Sequence, residues 1–228
     1  MKILIFVIIA VLVVIAFNMF THAQPVKTAE KAPIPSASRI QAKDFSGLLG
    51  MSGFSDTLLG DHFKLYQGYI KNTGAIFEKL DTLFSEGKDR TPEYAELKRR
   101  LGWEFNGALL HEYYFENLGG KEPPDPGSAL YRKIAADFKS FDDWKKDFIS
   151  TGMMRGIGWV VLCLEPKTGK LVNSWINEHD TAHIAGATPL LVMDVFEHAY
   201  MTDYQLDREK YIDSFFRNIN WKTVSARF

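Results

Sequence analysis

Apolar residues recur with two different periods along this chain, and the switch between them divides it. After Ser55, the positions Leu58, Leu59, Phe63, Tyr66, Tyr69 and Ile70 follow one face of a helix, with Ser55 placed to cap its start. Gly60, Gly68 and Gly74 interrupt the stretch, so packing rather than intrinsic propensity must hold it. A second helix opens at Thr91, Pro92 and Glu93, which supply a capping hydroxyl, a proline for the first turn and an acid at the positive end. Gly119 and Gly120 offer its stop. The polar stretch 87–90 joins the two, and the pair reads as an antiparallel hairpin.

Residues 122–127 hold three prolines and a glycine, the strongest break in the sequence. Beyond it the pattern predicts two short helices over 128–138 and 141–153. An apolar, β-branched run follows at 159–164, a turn at 167–170 and a returning strand at 171–176. Residues 189–195 read as a third strand and 209–219 as another helix. The predicted fold class is α+β: an N-terminal antiparallel helical hairpin over 45–121, then an α/β subdomain over 122–228 with a small three-stranded antiparallel sheet. No internal repeat is present.

The N-terminus obeys other rules. Lys2 precedes an unbroken apolar run over 3–17, and Thr21 and Ala23 supply small residues beyond it. This is the form of a secretory signal peptide over 1–23, cleaved after Ala23 because Asn18 breaks the run. The competing reading is an uncleaved anchor, since the run extended to Phe20 approaches the ~18 residues that can span a bilayer. Residues 24–44, with three prolines and no periodicity, read as a flexible tether. The expected location is therefore exported: periplasmic or secreted, with the membrane touched only through the N-terminal segment if it stays uncleaved.

Composition narrows the function classes. At 228 residues and a net charge of −1, with charges of both signs mixed throughout, the chain carries no basic footprint for nucleic acid. The single cysteine, Cys163, excludes an internal disulfide and reads as a small buried apolar residue. Packing, and a bound metal, must supply the stability that disulfides give many exported proteins.

The chemistry concentrates at Asp194 and His198, four positions apart and immediately after the apolar run of the third strand. Asp194 then emerges at the strand end, and His198 lies in the first turn of the next segment. An anionic oxygen and a neutral nitrogen converging from a rigid edge make half of a first-row transition-metal site. Among the six histidines, His62 lies on the apolar face of the first helix and His111 on the second. Facing helices of a hairpin can point one side chain each at a common centre. A single histidine on an apolar face is more often a hydrogen-bonded core residue; the four together change that balance.

Several segments resemble the iron/manganese superoxide dismutases over 45–228. HEYYFENL from His111 is similar to the family's second-helix signature, and GIGWVVL over 156–162 to its first strand. DVFEHAYMTDY over 194–204 resembles the segment that holds two of its ligands, and YIDSFFRNINW over 211–221 its C-terminal helix. The resemblance implies one Fe or Mn ion per subunit, five-coordinate with a solvent ligand, held by His62, His111, Asp194 and His198. It also implies superoxide as substrate, disproportionated to O2 and hydrogen peroxide by redox cycling of the metal, and a homodimer or homotetramer. Zinc, without redox chemistry, does not serve this reaction.

Motif position implies further roles. Tyr69, seven residues after His62, resembles the family's gateway tyrosine, although members typically space the two one residue further apart; Tyr66 is its rival. Trp159 is implied as an apolar wall beside the metal. His179 resembles a histidine replacement of the glutamine that contacts metal-bound solvent, with Gly107 at the alternative origin of that glutamine and His183 as a competitor. Phe196 and Val161 stand where the family usually has tryptophan, and Met201 where it has a gateway tyrosine. Glu197 corresponds to an acid that reaches the partner subunit's ligand histidine, placing it near the interface. Arg208 matches a basic residue near the substrate entrance, or is an arginine unrelated to catalysis. A non-catalytic metal-binding envelope protein retaining the scaffold is the alternative function. A mononuclear iron oxygenase fits less well, because two histidines and one carboxylate are its usual set.

Overall fold

The computed structural model describes residues 40–228. The expected signal or anchor over 1–23, and the tether up to residue 39, lie outside the described residues. Among the described residues no helix is long and apolar enough to cross a membrane.

Helix α1 (Asp56–Ser85) starts where Ser55 accepts a hydrogen bond from the Leu58 N–H. Its buried positions Leu59, His62, Tyr66, Thr73, Ile76, Leu80 and Leu83, with half-buried Tyr69 between, alternate in steps of three and four residues. That is the seam of a coiled-coil pair. Helix α2 (Pro92–Glu116), capped by Thr91, supplies the facing seam through Glu104, Gly107, Ala108, His111, Tyr114 and Phe115. The hairpin thus turns His62 and His111 inward for the same reason that it turns leucines inward.

Helix α2 ends a turn before the glycines at 119–120. Asn117 is fully buried; its side-chain amide donates to the Val192 carbonyl at 2.6 Å, and its own carbonyl accepts the Asn220 N–H at 2.6 Å. These tertiary bonds draw the chain out of the helix before the glycines are reached.

Two short helices come next, α3 (Ala129–Phe138) and α4 (Phe141–Gly152), capped by Ser128 and Ser140. Strands β1 (Gly158–Glu165), β2 (Lys170–Asn177) and β3 (Thr188–Asp194) form one antiparallel sheet in the order β2-β1-β3. The expected α+β class with a small antiparallel sheet is therefore what the chain adopts. Helix α2 packs on β3 and α4 packs on β1 and β2. Hence β1 is buried on both faces and reads as a continuous apolar run rather than an alternating one. Short helices α5 (Met201–Tyr204), α6 (Arg208–Arg217) and α7 (Trp221–Ala226) complete the chain. Beyond α7, Arg227 reaches back to the Leu190 carbonyl, Asn117 and Glu116. The expected helix over 209–219 stops at Arg217, and α5 and α7, of four and six residues, were too short for periodicity to signal.

Candidate metal centre

The register of the sheet fixes half of the site. Trp159 of β1 pairs directly with Asp194 at the end of β3, so the indole stands beside the carboxylate by cross-strand neighbourhood. After β3 the chain turns at once. Oδ1 of Asp194 accepts the Phe196 N–H at 2.8 Å, and the buried Tyr211 hydroxyl donates to the Asp194 backbone carbonyl at 2.6 Å. These two bonds aim the other carboxylate oxygen, Oδ2, at the hairpin. His198 follows in a single tight turn over Glu197–Ala199.

Four side chains converge there. Nε2 of His62 and Nε2 of His198 each lie 3.2 Å from Asp194 Oδ2, and Nε2 of His111 lies 3.8 Å from it. One ligand atom from each of the four falls within 4.8 Å of all the others. His62, His111 and Asp194 are buried, and His198 is about a quarter exposed.

Protonation states are set by the surroundings. The Nδ1–H of His111 donates to the Gly107 carbonyl one helical turn earlier, at 2.5 Å, which leaves Nε2 with a lone pair. That Nε2 is buried without a hydrogen-bond partner. Burial lowers the His62 pKa, and burial followed by the neighbouring His62 pushes His111 far lower, so both rings stay neutral. For Asp194, burial would raise the carboxyl, but the adjacent His198 and His62 outweigh it and hold it well below the usual range. Burial lowers His198, and the Asp194 carboxylate more than reverses this. A carboxylate oxygen and an orphaned imidazole lone pair, buried 3.8 Å apart, repel unless a cation lies between them. Three imidazoles and one carboxylate suit iron, manganese and their neighbours rather than calcium or magnesium. The residues fit a mononuclear transition metal.

Around this centre runs a hydrogen-bonded chain. The Trp159 Nε1–H donates to His179 Nδ1 at 3.0 Å, and His179 Nε2 lies 2.8 Å from the Tyr69 hydroxyl. Since an indole nitrogen only donates, His179 Nδ1 must accept, and the neutral ring carries its proton on Nε2. Burial brings the His179 pKa down to about 4, so the ring is neutral over the ordinary pH range. Both ring nitrogens are thereby engaged, Nδ1 by Trp159 and Nε2 by Tyr69. Burial first, then the Asp194 carboxylate, raises the Tyr69 pKa and keeps the phenol protonated.

The rivals bond elsewhere, although the Tyr66 ring lies 6.4 Å from that of His111. Tyr66 donates to Glu112 at 2.8 Å and accepts the Lys43 N–H at 2.9 Å. His183 is exposed and binds the backbone carbonyl of His179. Helix α1 is continuous from His62 to Tyr69. Seven residues are two turns, so the shortened spacing still returns Tyr69 to the seam. Phe196 stacks on His179 and His198, with ring centroids 4.9 and 5.1 Å apart. Val161 is a buried β1 residue, and Met201 is exposed. Arg208 is occupied: its guanidinium donates to the carbonyls of Met154 and Gly156 and to the Tyr200 hydroxyl, which makes it a clamp on the 152–156 loop. Sequence reading passed over Trp103, whose ring lies 4.5 Å from His179 and 5.5 Å from Tyr69. Its position eight residues before His111, on the same face of α2, was the available signal.

A helical hairpin and a three-stranded sheet closing on three imidazoles and a carboxylate define a mononuclear transition-metal protein. Comparison with known proteins makes this specific. Residues 126–227 match the family model for iron/manganese superoxide dismutases, C-terminal domain. An iron superoxide dismutase of Aquifex aeolicus is 35% identical over 195 residues, covering 83% of this chain and 91% of its own length. One from Cupriavidus metallidurans is 36% identical, covering 78% and 90%. A manganese superoxide dismutase of Halobacterium salinarum is 34% identical, covering 73% and 82%. The chain belongs to the iron/manganese superoxide dismutase family.

Proposed function

We propose that this protein is a superoxide dismutase, converting two superoxide anions and two protons to O2 and hydrogen peroxide. The convergence of His62, His111, Asp194 and His198 on one point carries the reading. When bound there, an iron or manganese ion supplies the +2/+3 alternation that removes an electron from one superoxide and returns it to a second. The four residues contribute one negative charge in total, so the loaded centre is cationic in either state and draws in an anion.

The outer residues manage the proton. With Trp159 holding Nδ1, His179 donates Nε2–H to the Tyr69 oxygen, leaving the Tyr69 O–H free to donate toward a reduced substrate. Its raised pKa keeps that proton in place at neutral and alkaline pH. Trp159, Phe196 and Phe115 exclude water around the imidazoles, whose rings they contact at 4.9–6.0 Å.

We further infer a homodimer or homotetramer. Glu197 is exposed on a rim with Met153, Met154 and Leu206, apolar side chains 44, 48 and 87% exposed. The apolar run over 3–17 supports export, to the periplasm or tethered there, where superoxide formed outside the cytoplasm is the substrate. The test is superoxide consumption by the purified full chain loaded with iron or with manganese. Rapid loss of superoxide with one of them is expected; tight metal binding without turnover would assign a non-catalytic role instead.

A further inference from the structure

His179 is fully buried, yet it sits in a surface loop whose neighbours Glu178 and Asp180 are both exposed. Two rings cover its imidazole, Phe196 stacked on it at 4.9 Å and Trp103 of α2. The indole meets the imidazole edge to face at 4.5 Å and 74°, and it also contacts Tyr69. Its Nε1–H donates to Glu178 Oε2 at 3.0 Å, and the Arg100 guanidinium lies over the indole face at 3.9 Å. Glu178 itself has φ +50°, the left-handed region that a residue with a Cβ adopts only under constraint. The constraint is visible: the Glu178 N–H donates to the Ile157 carbonyl, while Asn177 and Thr181 exchange backbone bonds across residues 178–180. Glu178 faces α2, and His179, next in the chain, faces Tyr69.

We propose that Arg100, Trp103 and Glu178 form a latch between α2 and the β2–β3 connection, in which Trp103 is a positioning residue for the His179–Tyr69 pair. Without the indole, water reaches His179 and competes for the Nε2–H that grips Tyr69, and the loop loses its side-chain bond to Trp103. The kinetic consequence rests on the dismutase reading; the structural consequence does not.

Two readouts on the full chain separate these. In the metal-free protein, long-range proton–nitrogen spectra of the histidine rings should show His179 as the pure Nε2–H tautomer. Trp103→Ala and Glu178→Ala should lose the sharp, exchange-protected Nε2–H signal to water, the Trp159 N–H still holding Nδ1 as an acceptor. Trp103→Phe, which keeps the ring and loses the N–H, should fall between, and Glu178→Gln, whose amide oxygen still accepts from the indole, should preserve it. In the metal-loaded enzyme, Trp103→Ala and Glu178→Ala should lower kcat roughly 3- to 10-fold with metal content and KM unchanged, and Glu178→Gln should match wild type. If Trp103→Ala retains the His179 signature and a kcat within a factor of about 1.5, the latch is overturned and Trp103 is surface packing. Should Trp103→Ala not fold, the Glu178 pair decides: alanine and glutamine behaving alike would sink the proposal. Wild-type enzyme that binds metal without turnover refutes the dismutase reading, while the ring spectra still decide the latch.

Discussion

A methyl group at position 107 has nowhere to go. A Cβ built on Gly107 would lie 2.6 Å from Cδ1 of Tyr69, and the same residue's carbonyl fixes the tautomer of His111. The tyrosine reaches this spot because its helix is continuous and the seven-residue spacing brings it back to the seam. Gly107→Ala should therefore displace Tyr69, lowering dismutase activity by roughly tenfold while metal content is retained. Overpacking should also cost about 1–3 kcal/mol, read by thermal unfolding of the same variant. Equal activity in the alanine variant would show that Tyr69 need not stay where it is. At this scale the sequence was only partly legible. The i+7 spacing of Tyr69 and the strand-end position of Asp194 are periodicity arguments and could be read directly. That Tyr66 belongs instead to Glu112 and Lys43 depends on tertiary partners 46 and 23 residues away, which no local pattern encodes.

Elements are joined by a few buried polar residues whose loss should be disproportionate. Asn117 binds the Val192 carbonyl and the Arg227 guanidinium, and its backbone carbonyl takes the Asn220 N–H. Asn117→Ala leaves buried groups unpaired at the junction of α2, β3 and α7, and should destabilise the protein by about 2–4 kcal/mol in denaturant unfolding. Asp137 ties α3 to β2. Burial raises its carboxyl, but hydrogen bonds from Lys133, the Leu171 N–H and Lys170 outweigh it and lower the pKa to about 2. Because the folded value lies below the unfolded one, this stabilisation is complete above about pH 4 and is lost as pH falls toward 2. Allowing for solvent screening at the partly exposed lysines, it is worth about 1 kcal/mol. Wild type should exceed Asp137→Asn by that margin at pH 7, and the gap should narrow below pH 4; a constant gap would remove the carboxylate as its source. The starts of α1 and α2 were readable because Ser55 and Thr91 both bond as the caps their positions suggest. The true end of α2 was not, because Asn117 ends it through partners far along the chain rather than through the nearby glycines.

Across the whole molecule, the four converging residues come from α1, α2, the end of β3 and the turn after it, so an ion held by them would join the hairpin to the sheet. Four donors whose lone pairs meet in a buried space make the folded state a strong binder and the unfolded chain a weak one, and occupancy should therefore stabilise the fold by mass action. The most direct test of the central claim is elemental analysis of the purified chain beside its His111→Ala variant, both grown with iron and manganese supplied. The account predicts close to one iron or manganese per wild-type chain and less than about a tenth of that in the variant, since His111 Nε2 has no other partner. Full occupancy in the variant would mean that the ion is held elsewhere and that the four residues do not share it.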